Sequence, residues 1–358
     1  MVGMPGVRYA NTESGFRRFR QNALESFERE QRALAQAGHR GPLPPAHFLA
    51  LSGGGDNGAF GVGLLNGWTE SGTRPEFKVV TGVSTGALIA SLAFLGAKYD
   101  EQIRTIFTGV SSKDVLRKRT FLAAVLDDAM ADNRPLRTLT EKYVTGGVLR
   151  DIAAEYAKGR LLLIGTTNLD AHRGIIWNIG KIAESGHPKA LDLLHNILLA
   201  SSAVPGAFPP VLVEVEAQGQ RFQEMHVDGG ASAQVFVYPP QFKLDELGAA
   251  AGVTRVRKLY VIRNAQLDPG WSEVERRTLS IAGRAIASLI QAQGRGDLFR
   301  LSAIAQRDQV DFNLAYIPST FKAPHREEFD NEYMRQLFQV GYDLARKGYP
   351  WAKTPPGM

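Results

Sequence analysis

A serine between two glycines, in the segment TGVSTG (Thr81–Gly86), is the first residue of this chain with the surroundings of a nucleophile. A largely apolar run ends just before this segment, and the helix-like ALIASLAFLG follows it. A serine on a sharp turn between a strand and a helix is typical of a nucleophile elbow. Gly82 and Gly86 would let the strand and the helix approach closely around Ser84. The alternative is an ordinary strand-to-helix connection in which the serine caps the helix.

A second glycine-rich turn, SGGGDNG (Ser52–Gly58), is also predicted between a strand and a helix. Consecutive glycines expose backbone N–H groups, which suit a phosphate or the oxyanion of a tetrahedral intermediate. The turn lacks the Gly-Lys-Ser/Thr that ends a P-loop, which argues against that motif. A dinucleotide fingerprint would require an acidic residue after the next strand, but that strand leads into TGVSTG. If the two strands are adjacent and parallel, both turns lie side by side. We therefore predict an anion-binding loop composed of Gly53, Gly54, Gly55, Asp56, Asn57 and Gly58.

The residue that would accept the serine proton is less obvious. The chain has seven histidines, at His39, His47, His172, His187, His195, His226 and His325. Two of them, His325 near the end of the chain and His226 in the segment EMHVDGG, are candidates for the base. Asp228 in the same segment is a third, because Gly229 and Gly230 leave its carboxylate uncrowded and burial would raise its pKa from about 4 toward neutrality. An ordinary DGG turn is the alternative interpretation.

The elements that must position these residues alternate between strands and helices. Strands are predicted at HFLAL, EFKVV, RLLLIG, KLYVIRNA and DFNLAYIP, and long helices at residues 11–37, 273–306 and 331–346. Strands that are apolar on both faces predict an α/β fold with a mostly parallel sheet covered by helices on both sides. We expect residues 1–45 to form a helical extension, capped by Asn11 or Ser14, that packs on a single domain spanning residues 46–358.

Composition and net charge exclude some kinds of chemistry and favour others. The chain has no cysteine, which excludes disulfides and thiolate chemistry, and no apolar run long enough to cross a membrane. Its net charge of +6 suits an anionic surface such as phospholipid, whereas no nucleic-acid recognition motif is present. The start lacks a secretory signal, although a leader could have been removed, so localisation stays open. Residues 110–133 are a candidate for a mobile cover or an ordinary pair of surface helices.

Taken in order, GGGDNG, GVSTG and DGG resemble the motifs of the patatin-like phospholipase family, bacterial type. The resemblance extends from Phe48 to Gly230 and includes the connector ASSAVPGAFPPV (Ala200–Val211). It implies a patatin-like three-layer fold, no cofactor or metal, and a lipid ester substrate at a membrane surface. It also implies a Ser–Asp dyad, with Ser84 as nucleophile and Asp228 as general base, and an oxyanion hole made by the backbone N–H groups of Gly53–Gly55.

One position departs from the family pattern. The family commonly has Arg or Lys where this chain has Asn57, and Asn offers only neutral hydrogen bonds. Two alternatives therefore accompany the dyad hypothesis. One is an esterase with a Ser-His-Asp triad that uses His226 or His325. The other is a catalytically weak protein that keeps the fold and binds lipid.

Overall fold

Nine strands of the described chain form one mixed sheet that positions the predicted site. The computed structural model describes residues 1–115, 117–118, 131–217, 219–268, 271 and 273–357. Most of the predicted cover at residues 110–133 therefore lies outside the described residues. The strands are β1 (Arg8–Ala10), β2 (Ala46–Leu51), β3 (Val79–Val83), β4 (Arg117–Lys118), β5 (Ala131–Asp132), β6 (Leu161–Asn168), β7 (Arg173–Asn178), β8 (Val211–Ala217), β9 (Gln220–Asp228), β10 (Arg257–Arg263) and β11 (Asp311–Tyr316).

Helices cover both faces of this sheet. They are α1 (Glu13–Gln36), α2 (Gly58–Glu70), α3 (Thr85–Ala93), α4 (Asp100–Gly109), α5 (Ser112–Val115), α6 (Arg134–Tyr143), α7 (Gly146–Ala157), α8 (Ile179–Glu184), α9 (Ala190–Ser201), α10 (Leu244–Ala250), α11 (Thr278–Arg307) and α12 (Asn331–Arg346). Since side chains alternate along a strand, β2 sends Leu49 and Leu51 into one apolar core and Phe48 and Ala50 into the other. The predicted α/β fold with helices on both faces is confirmed.

The centre of the sheet is parallel, in the order β6-β3-β2-β10-β11. Strands β7 and β9 both pair antiparallel with β6, and they continue to β1 and β8 respectively. The parallel strands are those that the sequence predicts, because they are apolar on both faces. Strands β8 (VLVEVEA) and β9 (QRFQEMHVD) mix apolar and polar residues, and they lie outside the parallel part of the sheet.

Helix α1 packs its phenylalanine stripe on the body of the protein. Phe19 is buried between Tyr9 and Phe242, with ring centroids 5.4 and 5.2 Å away. Glu30 adds ion pairs of 2.7 Å with both Lys78 and Arg255. The N-cap is Thr12, whose hydroxyl accepts the N–H of Gly15, so the expected caps Asn11 and Ser14 were wrong by one and two positions.

No helix among the described residues has the length and apolarity needed to cross a bilayer.

Candidate active site

Strand β6 brings Ser84 and Asp228 to the same place. Its first part pairs with β3, whose last residue Val83 lies opposite Gly165. Its last part pairs with β9, in which Asp228 lies opposite Thr166. Because Gly165 and Thr166 are consecutive, the end of β3 meets the end of β9. The residue that follows β3 is Ser84.

The backbone of Ser84 has the conformation of a sharp elbow. Its φ of 56° and ψ of −131° lie in a region that non-glycine residues rarely adopt. Such strain persists only where the surroundings fix it. Here the N–H of Ser84 donates to the hydroxyl of Ser201 at 2.9 Å, and that hydroxyl donates to the carbonyl of Gly165 at 2.7 Å. Ser201 therefore holds the elbow on β6.

Three of the predicted glycines are required by close packing around the elbow. A Cβ atom on Gly82 would overlap the carbonyl of Gly86, and one on Gly86 would lie 2.5 Å from the carbonyl oxygen of Leu51. A Cβ atom on Gly229 would lie 2.5 Å from the carbonyl oxygen of Gly165. Each position thus lacks room for any side chain.

The carboxyl group of Asp228 is buried and only partly hydrogen bonded. The N–H of Gly230 donates to Oδ1 at 2.6 Å, whereas Oδ2 has no hydrogen-bond partner of normal geometry in the described structure. Burial raises the pKa of Asp228 from 3.8 to about 6, and the nearby hydroxyl of Ser84 and the N–H of Gly230 oppose that rise. A carboxylate with a pKa close to neutrality is suited to accepting and returning a proton.

The glycine loop lies against the elbow, because β2 and β3 are adjacent and parallel. A Cβ atom on Gly53 would lie 3.0 Å from the Cβ of Ser84 and 3.7 Å from its hydroxyl oxygen. The N–H of Gly53 already donates to the carbonyl of Gln234 at 3.2 Å. Within the described part of the chain, the N–H groups of Gly54 and Gly55 have no acceptor. These two N–H groups are therefore available to a negatively charged oxygen atom.

Asn264 holds the glycine loop in place. Its N–H and its side-chain amide donate to the hydroxyl and the carbonyl of Ser52, at 2.8 and 2.9 Å. Its side-chain oxygen accepts the N–H of Gly61 in α2 at 3.1 Å. Gly54 packs directly on Asn264 and leaves no space for a Cβ atom. The signal in the sequence is the polar pair Arg263–Asn264, which ends the apolar run of β10.

The remaining residues of the loop face α12 and the segment before it. Asp56 accepts hydrogen bonds from the N–H of Phe329 at 2.9 Å and is 2.6 Å from Nε2 of His325. Asn57 accepts the hydroxyl of Tyr333 at 2.6 Å. Gly58 packs against Phe107 and Thr85. Asp56 and Asn57 thus fix the short 3₁₀ turn that follows the glycines.

Neither candidate histidine contacts Ser84. His325 pairs with Asp56, as described above. His226 is fully buried, and its Nδ1 lies 3.0 Å from the hydroxyl of Thr166, while Nε2 lies 3.2 Å from Glu224. The indole of Trp177 donates to the same Thr166 hydroxyl at 2.8 Å. Both ring nitrogens of His226 are therefore used away from the serine.

A buried arginine lies behind the glycine loop, at the end of β10. Arg263 is 3% exposed, and burial lowers its pKa to about 10. Its Nη1 is 3.5 Å from the side-chain oxygen of Gln234, the residue whose carbonyl accepts the Gly53 N–H. Asp297 accepts the N–H of Gln234 at 2.6 Å and completes this cluster. A positive charge is thus held close to the loop that would receive negative charge.

Ser84 opens into an apolar cavity of about 120 Å³. Gly55 and Ser84 line it, and its walls are formed by side chains that include Leu88, Ile106, Phe107, Leu136, Phe208 and Met334. A larger cavity of about 530 Å³ lies between α1 and β7 and is not lined by Ser84. Of these two cavities, the smaller one is the one that Ser84 borders.

The sequence model of the patatin-like phospholipase family matches residues 49–239. This range is more than half of the chain and includes Ser84 and Asp228. The chain belongs to the patatin-like phospholipase family. No curated protein matches the chain in sequence.

Solved structures of similar proteins share little sequence with this patatin-like chain. VipD from Legionella pneumophila is 14% identical, with a TM-score of 0.40, and the alignment covers 85% of this chain and 66% of VipD. The type III effector protein ExoU is 13% identical, with a TM-score of 0.39, and the alignment covers 86% of this chain and 53% of ExoU. The patatin-like chain therefore spans two thirds or less of either protein.

Proposed function

We propose that this patatin-like protein is a serine acyl hydrolase that cleaves carboxylic esters of lipids through a Ser–Asp dyad. Family membership supports lipid acyl hydrolysis, and the Ser–Asp dyad is the catalytic mechanism that we propose for it. The observation that carries it is the meeting of β3 and β9 on β6, which places Ser84 beside a buried carboxyl with a pKa near 6. No histidine of the described structure takes that place.

Acylation begins when the ester carbonyl lies between Ser84 and the N–H groups of Gly54 and Gly55. Ser84 Oγ attacks the carbonyl carbon while its proton passes to the carboxylate of Asp228. The two N–H groups stabilise the oxyanion of the tetrahedral intermediate. The carbon–oxygen bond to the alcohol then breaks, and Asp228 returns the proton to the departing alkoxide. The product is an ester of the acyl group with Ser84.

Deacylation repeats these steps with water. Asp228 removes a proton from a water molecule, whose oxygen attacks the acyl carbonyl and forms a second tetrahedral intermediate. The bond to Ser84 Oγ breaks, the proton on Asp228 passes to Ser84, and a fatty acid leaves. The apolar cavity next to Ser84 would hold the acyl chain through both stages.

Release of fatty acid from phospholipid vesicles tests this function. We expect turnover by the wild type and a loss of at least about a thousandfold in Ser84→Ala and in Asp228→Asn. Ser91→Ala is the matched control, because Ser91 is a buried serine of the adjoining helix whose hydroxyl bonds its own helix backbone. Full activity in either dyad variant would contradict the assignment. Vesicle binding without turnover of any ester would instead favour the lipid-binding alternative.

A further inference from the structure

The first half of α11 leaves large apolar side chains in solvent. Ile281, Ile286 and Leu289 are 54%, 40% and 69% exposed. The second half of the same helix is buried, at Gly294, Leu298 and Leu301 among others. The C-terminal half of α11 therefore packs on the sheet, whereas its N-terminal half is exposed to solvent.

The exposed half is amphipathic. At 100° per residue, Ile281, Ala282, Ala285, Ile286 and Leu289 fall on one stripe of the helix. Ser280, Arg284 and Gln291 lie on the other side. A stripe of this kind normally faces a core, but here it has no protein partner among the described residues. Any surface that covers the stripe therefore lies outside the described structure.

This half of α11 projects past the edge of the sheet that carries Ser84. The helix has 30 residues and is about 45 Å long, whereas β10 beside it is only about 20 Å long. Gln291 donates to the carbonyls of Gln266 and Leu267, just beyond the carboxyl end of β10, so Gln291 marks the level of that edge. The preceding residues of the helix extend about 20 Å further.

Ser84 lies at the same edge, because β3, β2 and β10 are parallel neighbours. Two strand spacings, about 10 Å within the sheet, separate β3 from β10, and the projecting half of the helix begins at the level of the carboxyl end of β10. A surface that bound the apolar stripe would thus meet the chain at its catalytic edge.

The charge around the stripe identifies the chemistry of that surface. From Arg276 to Gly296 the sequence has four arginines, at Arg276, Arg277, Arg284 and Arg295, and no acidic residue. All four are exposed, and Arg277 lies 3.5 Å from Glu275. Isoleucine and leucine on one face of the helix, with arginine on and near the polar face, is the composition of a helix that lies in a membrane interface. Anionic headgroups would attract the arginines.

We propose that residues 278–290 of α11 form an interfacial helix that docks the catalytic edge on an anionic phospholipid surface. The biological purpose of this docking rests on the proposed lipid hydrolase activity, but the docking itself requires no turnover. The helix inserts its stripe among the acyl chains, and the arginines pair with phosphates. Ser84 then faces the layer from which a phospholipid would enter.

Vesicle binding by the full chain tests this proposal. We compare the wild type with Ile286→Gln and Leu289→Gln, because glutamine retains helix propensity and both sites are exposed. Ala287→Gln is the matched control: it is exposed on the same turn, about 160° around the helix from Leu289. Each protein is titrated with vesicles of phosphatidylcholine, alone or mixed with phosphatidylglycerol, and is assayed on a soluble short-chain ester.

We expect Leu289→Gln to weaken binding to the mixed vesicles at least about tenfold, with Ile286→Gln close behind and Ala287→Gln unchanged. Arg284→Gln should weaken binding to the mixed vesicles about fivefold, with little effect on phosphatidylcholine alone. Hydrolysis of the soluble ester should stay at the wild-type rate in all four variants. Ser84→Ala should bind vesicles as the wild type does, so a failure of the proposed chemistry would leave this result intact.

Two results would overturn the proposal. One is wild-type vesicle binding by Leu289→Gln. The other is a wild-type dimer in sedimentation that Leu289→Gln converts to a monomer, because the stripe would then be covered by a second copy of the chain.

Discussion

Replacement of Asp228 by asparagine should abolish activity and change the pH dependence of the protein's stability in a predictable direction. The pKa of this carboxyl rises from 3.8 to about 6 because the group is buried. The folded protein therefore binds the proton more tightly than the unfolded chain does. As the pH rises from about 4 to about 6, the folded state holds a proton that the unfolded state has released, so stability falls across this window.

The size of this effect follows from the pKa difference. A shift from 3.8 to about 6 is worth about 3 kcal/mol, at about 1.4 kcal/mol per unit. The wild type should lose most of this amount between pH 4 and pH 7 through Asp228, whereas Asp228→Asn has no carboxyl to titrate. The constant cost of placing an amide at this site cancels when the two proteins are compared at several pH values. The stability of Asp228→Asn relative to wild type should therefore increase by about 2 kcal/mol over this range.

Urea denaturation of both proteins from pH 4 to pH 7 measures this difference. Ser84→Ala is the control, because it is also expected to be inactive but retains the buried carboxyl. Its stability should fall with pH at least as steeply as that of the wild type, since the Ser84 hydroxyl lowers the pKa of Asp228. If the difference between Asp228→Asn and wild type is constant across the pH range, the carboxyl is not raised in pKa and the reasoning is refuted.

Three further substitutions separate the roles of the surrounding residues. His325→Ala should retain activity within severalfold of the wild type. It should lower the free energy of unfolding by about 1 kcal/mol or less, because the ring contacts Asp56 and is half exposed. A thousandfold loss of kcat, as expected for a triad base, would contradict this prediction. Arg263→Gln should lower kcat about tenfold with little change in KM, since it removes a positive charge behind the glycine loop. Arg263→Lys, which keeps the charge, should lose less activity. An equal loss in both variants would indicate a packing role for Arg263. Gly53→Ala should lower kcat at least about tenfold, because its Cβ atom would press on Ser84, while the thermal midpoint stays close to wild type; unaltered kinetics would show that the loop can move aside.

The sequence predicts the parallel core and both glycine turns because these features are local. Strands such as β2 and β6 are apolar on both faces, and the glycines of both turns are visible directly in the sequence. The connection through β9 depends on long-range pairing. Asp228 reaches the elbow because β9 runs antiparallel along the last residues of β6, and no local pattern indicates that register.

Supporting side chains are the part of the site that sequence reasoning missed. Ser201 lies within the connector that resembles the family, yet its hydrogen bond to the Ser84 N–H becomes visible only once α9 is packed on β6. Arg263 and Asn264 lie near the end of a predicted strand, but their contacts to the glycine loop require the neighbouring position of β2 and β10. Gln234 also could not be predicted, because it reaches Gly53 through its backbone carbonyl.

The pH dependence of fluorophosphonate labelling at Ser84 tests the dyad most directly, because the reagent reports the reactive serine and its base without a lipid substrate. Intact mass and peptide mapping identify the labelled residue, and the rate is followed from pH 4 to pH 9 in wild type and in Asp228→Asn. The dyad mechanism predicts a single adduct on Ser84, a rate that rises with pH to a plateau with a midpoint near 6, and a loss of labelling in Asp228→Asn. Labelling of Ser84 that persists in Asp228→Asn, or an adduct on another residue, would contradict it.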